Sequence, residues 1–335
     1  MTQTDTWLRK RRTIHTGPLD VTVSMPAEMA DRLRCNVVYR RVVGPALSRR
    51  HRHADVPRPI STSVKPMGAE ASALRARIGE VDWYHSIDLG HGVVTPGLVD
   101  HRAQVPFYGL PGSLAGKRVL DVATFDGFWA FEFERRGAEV VALDLANWSE
   151  VDMPQRMRPH LAEFELNGKT GAAFALAHQI LGSRVQRIEG SIYDLDPLQL
   201  GTFDLVFISD LLLHLRCPQR AIESAASVCR GELLIADVFT PMLEGFGDLP
   251  LAQYAAPSHI WWLPNVKALM CMMGVAGCEG VEEVSRFVLD WRGDDPLHKV
   301  VLRGLAAADP LWLREYRGWA ESRSPKWRSA AEQPS

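Results

Sequence analysis

Apolar residues in this chain cluster in short runs divided by polar turns, and the period of the runs alternates. Arg118-Val-Leu-Asp-Val-Ala123 is a compact apolar run and predicts a strand. Gly127 to Arg136 follows with apolar residues at helical spacing, and Gly137 is a natural C-terminal stop. Glu139–Asp144 predicts a second strand, residues 185–192 a third, Phe203–Ser209 a fourth and residues 232–237 a fifth. Residues 218–228 predict a helix with proline in its first turn. Such alternation means βαβ units, hence a parallel sheet covered by helices on both faces. Residues 281–291 and 299–302 predict two more strands, joined by the polar turn 292–296. The expected fold is α/β and doubly wound. Its sheet is mostly parallel and seven-stranded, with an antiparallel C-terminal hairpin.

The 335 residues, 46% hydrophobic and 23% charged, can bury a substantial core. Net charge is only -2, which excludes a globally basic nucleic-acid binder. Charge is unevenly placed, however: residues 1–60 hold twelve Lys/Arg against five Asp/Glu. Residues 1–65 therefore read as a basic arm, either a solvated extension or a patch for an anionic partner such as RNA. Residues 66–115 read as a lid segment and 116–305 as the sheet domain. A cap insertion lies near 240–270, and 306–335 form a tail. The five cysteines include no C-x-x-C pair, so a reducing cytoplasm is expected. Charges interrupt the N-terminus where a secretory signal needs an apolar core. The most apolar stretch, residues 260–278, contains Pro264, Asn265 and Lys267, and reads as a buried helix rather than a membrane span.

Ligands of open α/β sheets sit beyond the carboxyl ends of the strands. The loop after the first strand reads Asp121-Val-Ala-Thr-Phe-Asp-Gly127. A dinucleotide loop needs glycines so that a pyrophosphate can approach bare backbone. Ala123 and Phe125 stand in those places, and Asp121 and Asp126 would repel a diphosphate. A cationic, phosphate-free nucleoside suits the loop better, and S-adenosylmethionine is one. Asp121 can face its ammonium. Thr124 and the amides of Asp126, Gly127 and Phe128 can face its carboxylate. Asp144, at the end of the second strand, can accept both ribose hydroxyls. Ser191 and Ile192 can frame the adenine, while Leu145 and Ser209 flank the same crevice.

The stretch VLDVATFDGFWAFEFERRGAEVVALD resembles the cofactor loop of class I SAM-dependent methyltransferases, which implies a Rossmann-like fold. Together with WYHSIDLGHGVVTPG (83–97) and IWWLPNVKALMCMMGVAGC (260–278), it resembles the branch related to tRNA wobble-uridine carboxymethyl transferases. The resemblance covers about residues 80–303. That branch holds a carboxylated cofactor with a lysine, a tyrosine and a third, basic residue. The matching positions are His85, Leu213 and Lys299. Two of the three grips are missing, so plain SAM and methyl transfer are expected.

Methyl transfer requires alignment in a dry site, helped by a base when the acceptor is a hydroxyl. His85 and His214 are the candidate bases, and Asp210 is the acid nearest the fourth-strand loop. Tyr84, Tyr254, His259, Trp261, Trp262 and Asn265 are candidates to line an acceptor pocket, where aromatic faces also favour cations. The early histidines have no metal-ligand spacing, and no metal is expected. A small-molecule acceptor methylated on oxygen, as in specialised metabolism, is the first expectation. A tRNA-modifying transferase and a non-catalytic SAM-fold protein are its rivals. Exchange of the arm between subunits would give a homodimer.

Overall fold

A computed structural model of the chain describes residues 9–16, 19–26, 69–154, 169–255, 260–289 and 297–306. His259, the turn 290–296 and the tail beyond 306 lie outside them. The basic arm, read as an extension, contains an antiparallel pair, β1 (Arg9–Thr16) and β2 (Leu19–Pro26). Helix α1 (Ala69–Ile78) leads into the lid segment.

The sheet follows from the apolar runs. It comprises β3 (Arg118–Val122), β4 (Glu139–Asp144), β5 (Gln186–Glu189), β6 (Phe203–Ser209), β7 (Cys229–Val238), β10 (Cys278–Leu289) and β11 (Leu297–Ala306). A small separate pair, β8 (Ala252–Tyr254) and β9 (Trp262–Pro264), stands in the cap insertion. The seven strands lie in the order β10-β11-β7-β6-β3-β4-β5. Strands β3 to β7 are mutually parallel, and β11 runs antiparallel to both β7 and β10.

Central strands buried on both faces explain the continuous apolar runs. Helices α2 (Phe128–Arg135) and α3 (Ala172–Leu181) share one core with the lid, through Trp83, Trp129, Phe133 and Phe174. Helices α4 (Pro218–Ser227) and α5 (Val266–Val275) share the other, through Ile222, Leu269 and Met273. No helix among the described residues is long and apolar enough to cross a membrane.

Three boundaries differ from the sequence reading. Strand β5 stops at Glu189, because Ser191 caps a short 3-10 turn, its hydroxyl accepting from the Tyr193 amide at 3.2 Å. Strand β7 starts three residues earlier than the run 232–237 suggests. Gly231 permits this, since a Cβ there would lie 2.1 Å from the Asp204 carbonyl oxygen. The hairpin strands β10 and β11 also extend beyond the predicted cores, through bulged registers.

Candidate functional site

Strand order reverses between β3 and β6, so a crevice opens where their carboxyl ends diverge. Asp121 and Thr124 sit at the β3 edge of it, both buried. Among the described residues Asp121 Oδ2 and Thr124 Oγ1 have no hydrogen-bond partner. Burial pushes the Asp121 carboxyl up to about 7. Asp144 ends β4 and takes the Phe125 amide on Oδ2 at 3.0 Å and its neighbour Leu145's amide on Oδ1 at 2.8 Å. Burial pushes Asp144 up to about 6. Gly190 donates to the Asp144 carbonyl at 2.8 Å, which brings Ser191 and buried Ile192 to the same end of the sheet.

The connecting loop is tightly wound. Ala123 and Phe125 adopt left-handed backbone with φ of 59° and 54°, at a steric cost of about 1–2 kcal/mol each. Gly127 has φ of 93°, and a Cβ there would come within 2.5 Å of the Phe131 ring. Asp126, expected to offer only its amide, gives its carboxylate to the lid. Its Oδ2 accepts the Tyr84 and His85 amides at 2.9 and 2.7 Å, and its Oδ1 meets His85 Nδ1. The lid is further pinned by Val99 donating to the Tyr84 carbonyl and Ser86 donating to the Val99 carbonyl, both at 2.8 Å. The Tyr84 and Phe125 rings lie 4.9 Å apart, with Trp148 beyond Phe125 at 5.6 Å.

On the opposite edge one acid is already paired, while burial pushes its neighbour Asp237 up to about 6. Asp210 follows β6 with φ of 53°, and its Oδ1 meets Lys299 Nζ. Lys299 is fully buried and also donates to the Ala236 carbonyl at 2.8 Å. Burial alone would push the Asp210 carboxyl up, but the Lys299 ammonium, helped by His101 and the Ser209 hydroxyl, holds the group below its ordinary range. Asp237 accepts the amides of Leu211 and Leu212 at 3.1 and 2.8 Å.

His101 and Tyr108 join this edge, and neither was singled out by the sequence. His101 Nδ1 lies 3.1 Å from the Tyr108 hydroxyl and its Nε2 3.9 Å from Asp210 Oδ2. Burial lowers His101 to about 3. Only its place among the early histidines marked it, and spacing alone could not reveal burial.

Other candidates fall elsewhere. His214 is half-buried in the 3-10 turn Leu212–His214 after β6. Trp261 donates from Nε1 to the Asp152 carbonyl at 2.6 Å and from its amide to the Leu213 carbonyl at 2.8 Å. Trp262 donates to the Arg216 carbonyl and, with Arg216, Pro218 and Met272, lines an open apolar groove of about 470 Å³ that excludes Asp121 and Asp144. Tyr254 is 58% exposed beside it. Asn265 departs from its expected role. It is fully buried and caps α5, accepting from Ala268 and Leu251 amides and donating to the Leu249 carbonyl, all within 3.0 Å. Those bonds leave it nothing to offer an acceptor.

Sealed polar oxygens without partners cost about 1–3 kcal/mol each. Asp121 and Thr124 therefore fit a ligand bearing hydrogen-bond donors. Strand order and connectivity together define a Rossmann-like α/β domain.

No family model matches the chain. It is 30% identical over 190 residues to a tRNA U34 carboxymethyltransferase of Pseudomonas syringae pv. syringae, covering 53% of this chain and 50% of that protein. It is 27% identical over 178 residues to the protein of that name from Syntrophotalea carbinolica, covering 52% and 48%. The chain thus spans about half the length of these curated relatives. Among solved structures it is similar to the N-terminal domain of EvdMO1 with SAH bound, at 18% identity and a TM-score of 0.48, covering 72% of this chain and 98% of that one. An O-methyltransferase family protein from Burkholderia thailandensis aligns at 20% identity and a TM-score of 0.41, covering 62% and 56%.

Proposed function

We propose that the protein is a SAM-dependent methyltransferase that methylates a small-molecule acceptor on oxygen. When bound, S-adenosylmethionine supplies a methyl carbon already activated by sulfonium. The chain's residues have only to bind, orient and keep the site dry. Asp144 would accept the ribose hydroxyls, Asp121 the ammonium, and Thr124 with the amides at the start of α2 the carboxylate.

One observation favours plain methyl over carboxymethyl transfer. Lys299, which matches the third grip in the resemblance, is already held by Asp210. His85 and Leu213 stand at the other two grip positions. An anionic substituent on the sulfonium would therefore meet a compensated ammonium. Calorimetric titration of SAM and of its carboxylated analogue tests this. SAM is expected to bind at least as tightly, and a tenfold preference for the analogue would contradict the reading.

The names of the curated relatives support a second reading, a tRNA-modifying enzyme. The basic first 60 residues would then hold phosphates. That reading requires tRNA affinity that falls steeply with salt and depends on residues 1–65.

A further inference from the structure

Asp126 is fully buried, immediately before the glycine that opens α2, and both its oxygens are turned to the lid. A carboxylate against Nδ1 fixes both the orientation and the tautomer of an imidazole. The proton stays on Nδ1, and Nε2 keeps its lone pair. Nε2 of His85 makes no hydrogen bond among the described residues. The side chain keeps 7% of its surface exposed, and Nε2 is not among the sealed, unpartnered atoms. Tyr84 edge-on at 4.7 Å, Phe128 at 5.6 Å and His101 at 5.5 Å fix the ring on its other sides. His101 is no rival for a proton, being fully sealed and held neutral by burial.

We propose that Asp126 is the positioning residue of an Asp126–His85 dyad in which His85 Nε2 takes the proton of a hydroxyl acceptor. The proposal rests on the crevice being a SAM site. Carboxylate and thiolate acceptors arrive deprotonated, and an amine attacks through its lone pair. A hydroxyl gains most from a base during attack. The acceptor oxygen forms its bond to the methyl carbon as the carbon–sulfur bond breaks. The electron pair of that bond stays on sulfur, and the hydroxyl proton passes to Nε2.

Full-length protein labelled with ¹⁵N-histidine and saturated with S-adenosylhomocysteine tests the dyad by long-range proton–nitrogen correlation, with His85→Asn assigning the signals. The wild type should show His85 as the Nδ1–H tautomer, and Asp126→Asn should shift it towards Nε2–H. A wild-type Nε2–H tautomer, or one indifferent to Asp126→Asn, overturns the dyad. If Asp126→Asn does not fold, the wild-type tautomer alone decides. Calorimetry run beforehand separates the two levels, because absence of S-adenosylhomocysteine binding would remove the cofactor reading itself. For the acceptor class, methyl-labelled SAM is incubated with a small-molecule extract of the source cells. Label should appear on oxygen, and His85→Asn should slow it by about 10²–10⁴-fold. Label on nitrogen or sulfur, none on oxygen, or an unchanged rate in the variant overturns the assignment.

Discussion

At the ends of β3 and β4, Asp121 keeps an unpartnered oxygen and Asp144 meets only backbone amides, whereas across the crevice Asp210 is closed by Lys299. All three are carboxylates at the crevice end of one sheet. On the first side burial raises their proton affinity and outweighs the hydrogen bonds that oppose it. On the second, a buried ammonium holds Asp210 ionised. The difference teaches which charge is waiting for a ligand and which is structure. In the proposed reading Asp121 awaits a cation and Asp144 a pair of hydroxyls, while Asp210 is already paired with Lys299.

The strongest way to break this contrast is Lys299→Met. It strands Asp210 in a buried site, and unfolding in urea should show a loss of about 3–5 kcal/mol. Adding Asp210→Asn should restore part of that loss. Equal stability of Lys299→Met and wild type would mean that the pair is not a buried, matched charge.

On the open side, Asp144→Ala should weaken S-adenosylhomocysteine binding about 10- to 100-fold by calorimetry, the cost of hydrogen bonds to a charged acceptor. Unchanged affinity would displace the ribose from Asp144.

The pH dependence sharpens the same point. With Asp121 raised to about 7 and Asp144 to about 6, both acids are partly protonated in the free protein at mildly acid pH. Asp121 facing an ammonium and Asp144 accepting two hydroxyls both call for the ionised form, so binding releases protons there. Affinity should climb from pH 5 to 7, by up to about tenfold per unit for each proton released, and then level off. An affinity that falls as pH rises through this window would contradict the assignment.

The smallest effect is expected at the cap. Tyr254→Ala removes a largely exposed ring outside the acid-lined crevice. Stability should stay within about 0.5 kcal/mol, and cofactor affinity should not move.

The open side of the crevice was the legible one. Asp121, Gly127 and Asp144 lie within one βαβ stretch, where strand period and loop chemistry can be read together. The block around His85 was visible as one segment for the same reason, since its residues are contiguous. The closed side depends on contacts between distant parts of the chain. Lys299 and Asp210 are 89 residues apart, and His85 and Asp126 are 41 apart. Nothing local at Lys299 signals which acid it will meet. Nothing at Asp126 distinguishes an acid that faces a ligand from one that clamps a lid. Asn265 shows the converse error, where a polar residue in an aromatic block suggested recognition but serves a helix N-terminus.

The most direct measurement is a calorimetric comparison of S-adenosylhomocysteine and NAD on the intact chain at neutral pH. The acid-lined, side-chain-filled loop predicts one adenosyl thioether bound per chain and no detectable dinucleotide. Binding of NAD, or no uptake of the adenosyl thioether, would contradict a crevice shaped for a phosphate-free cation.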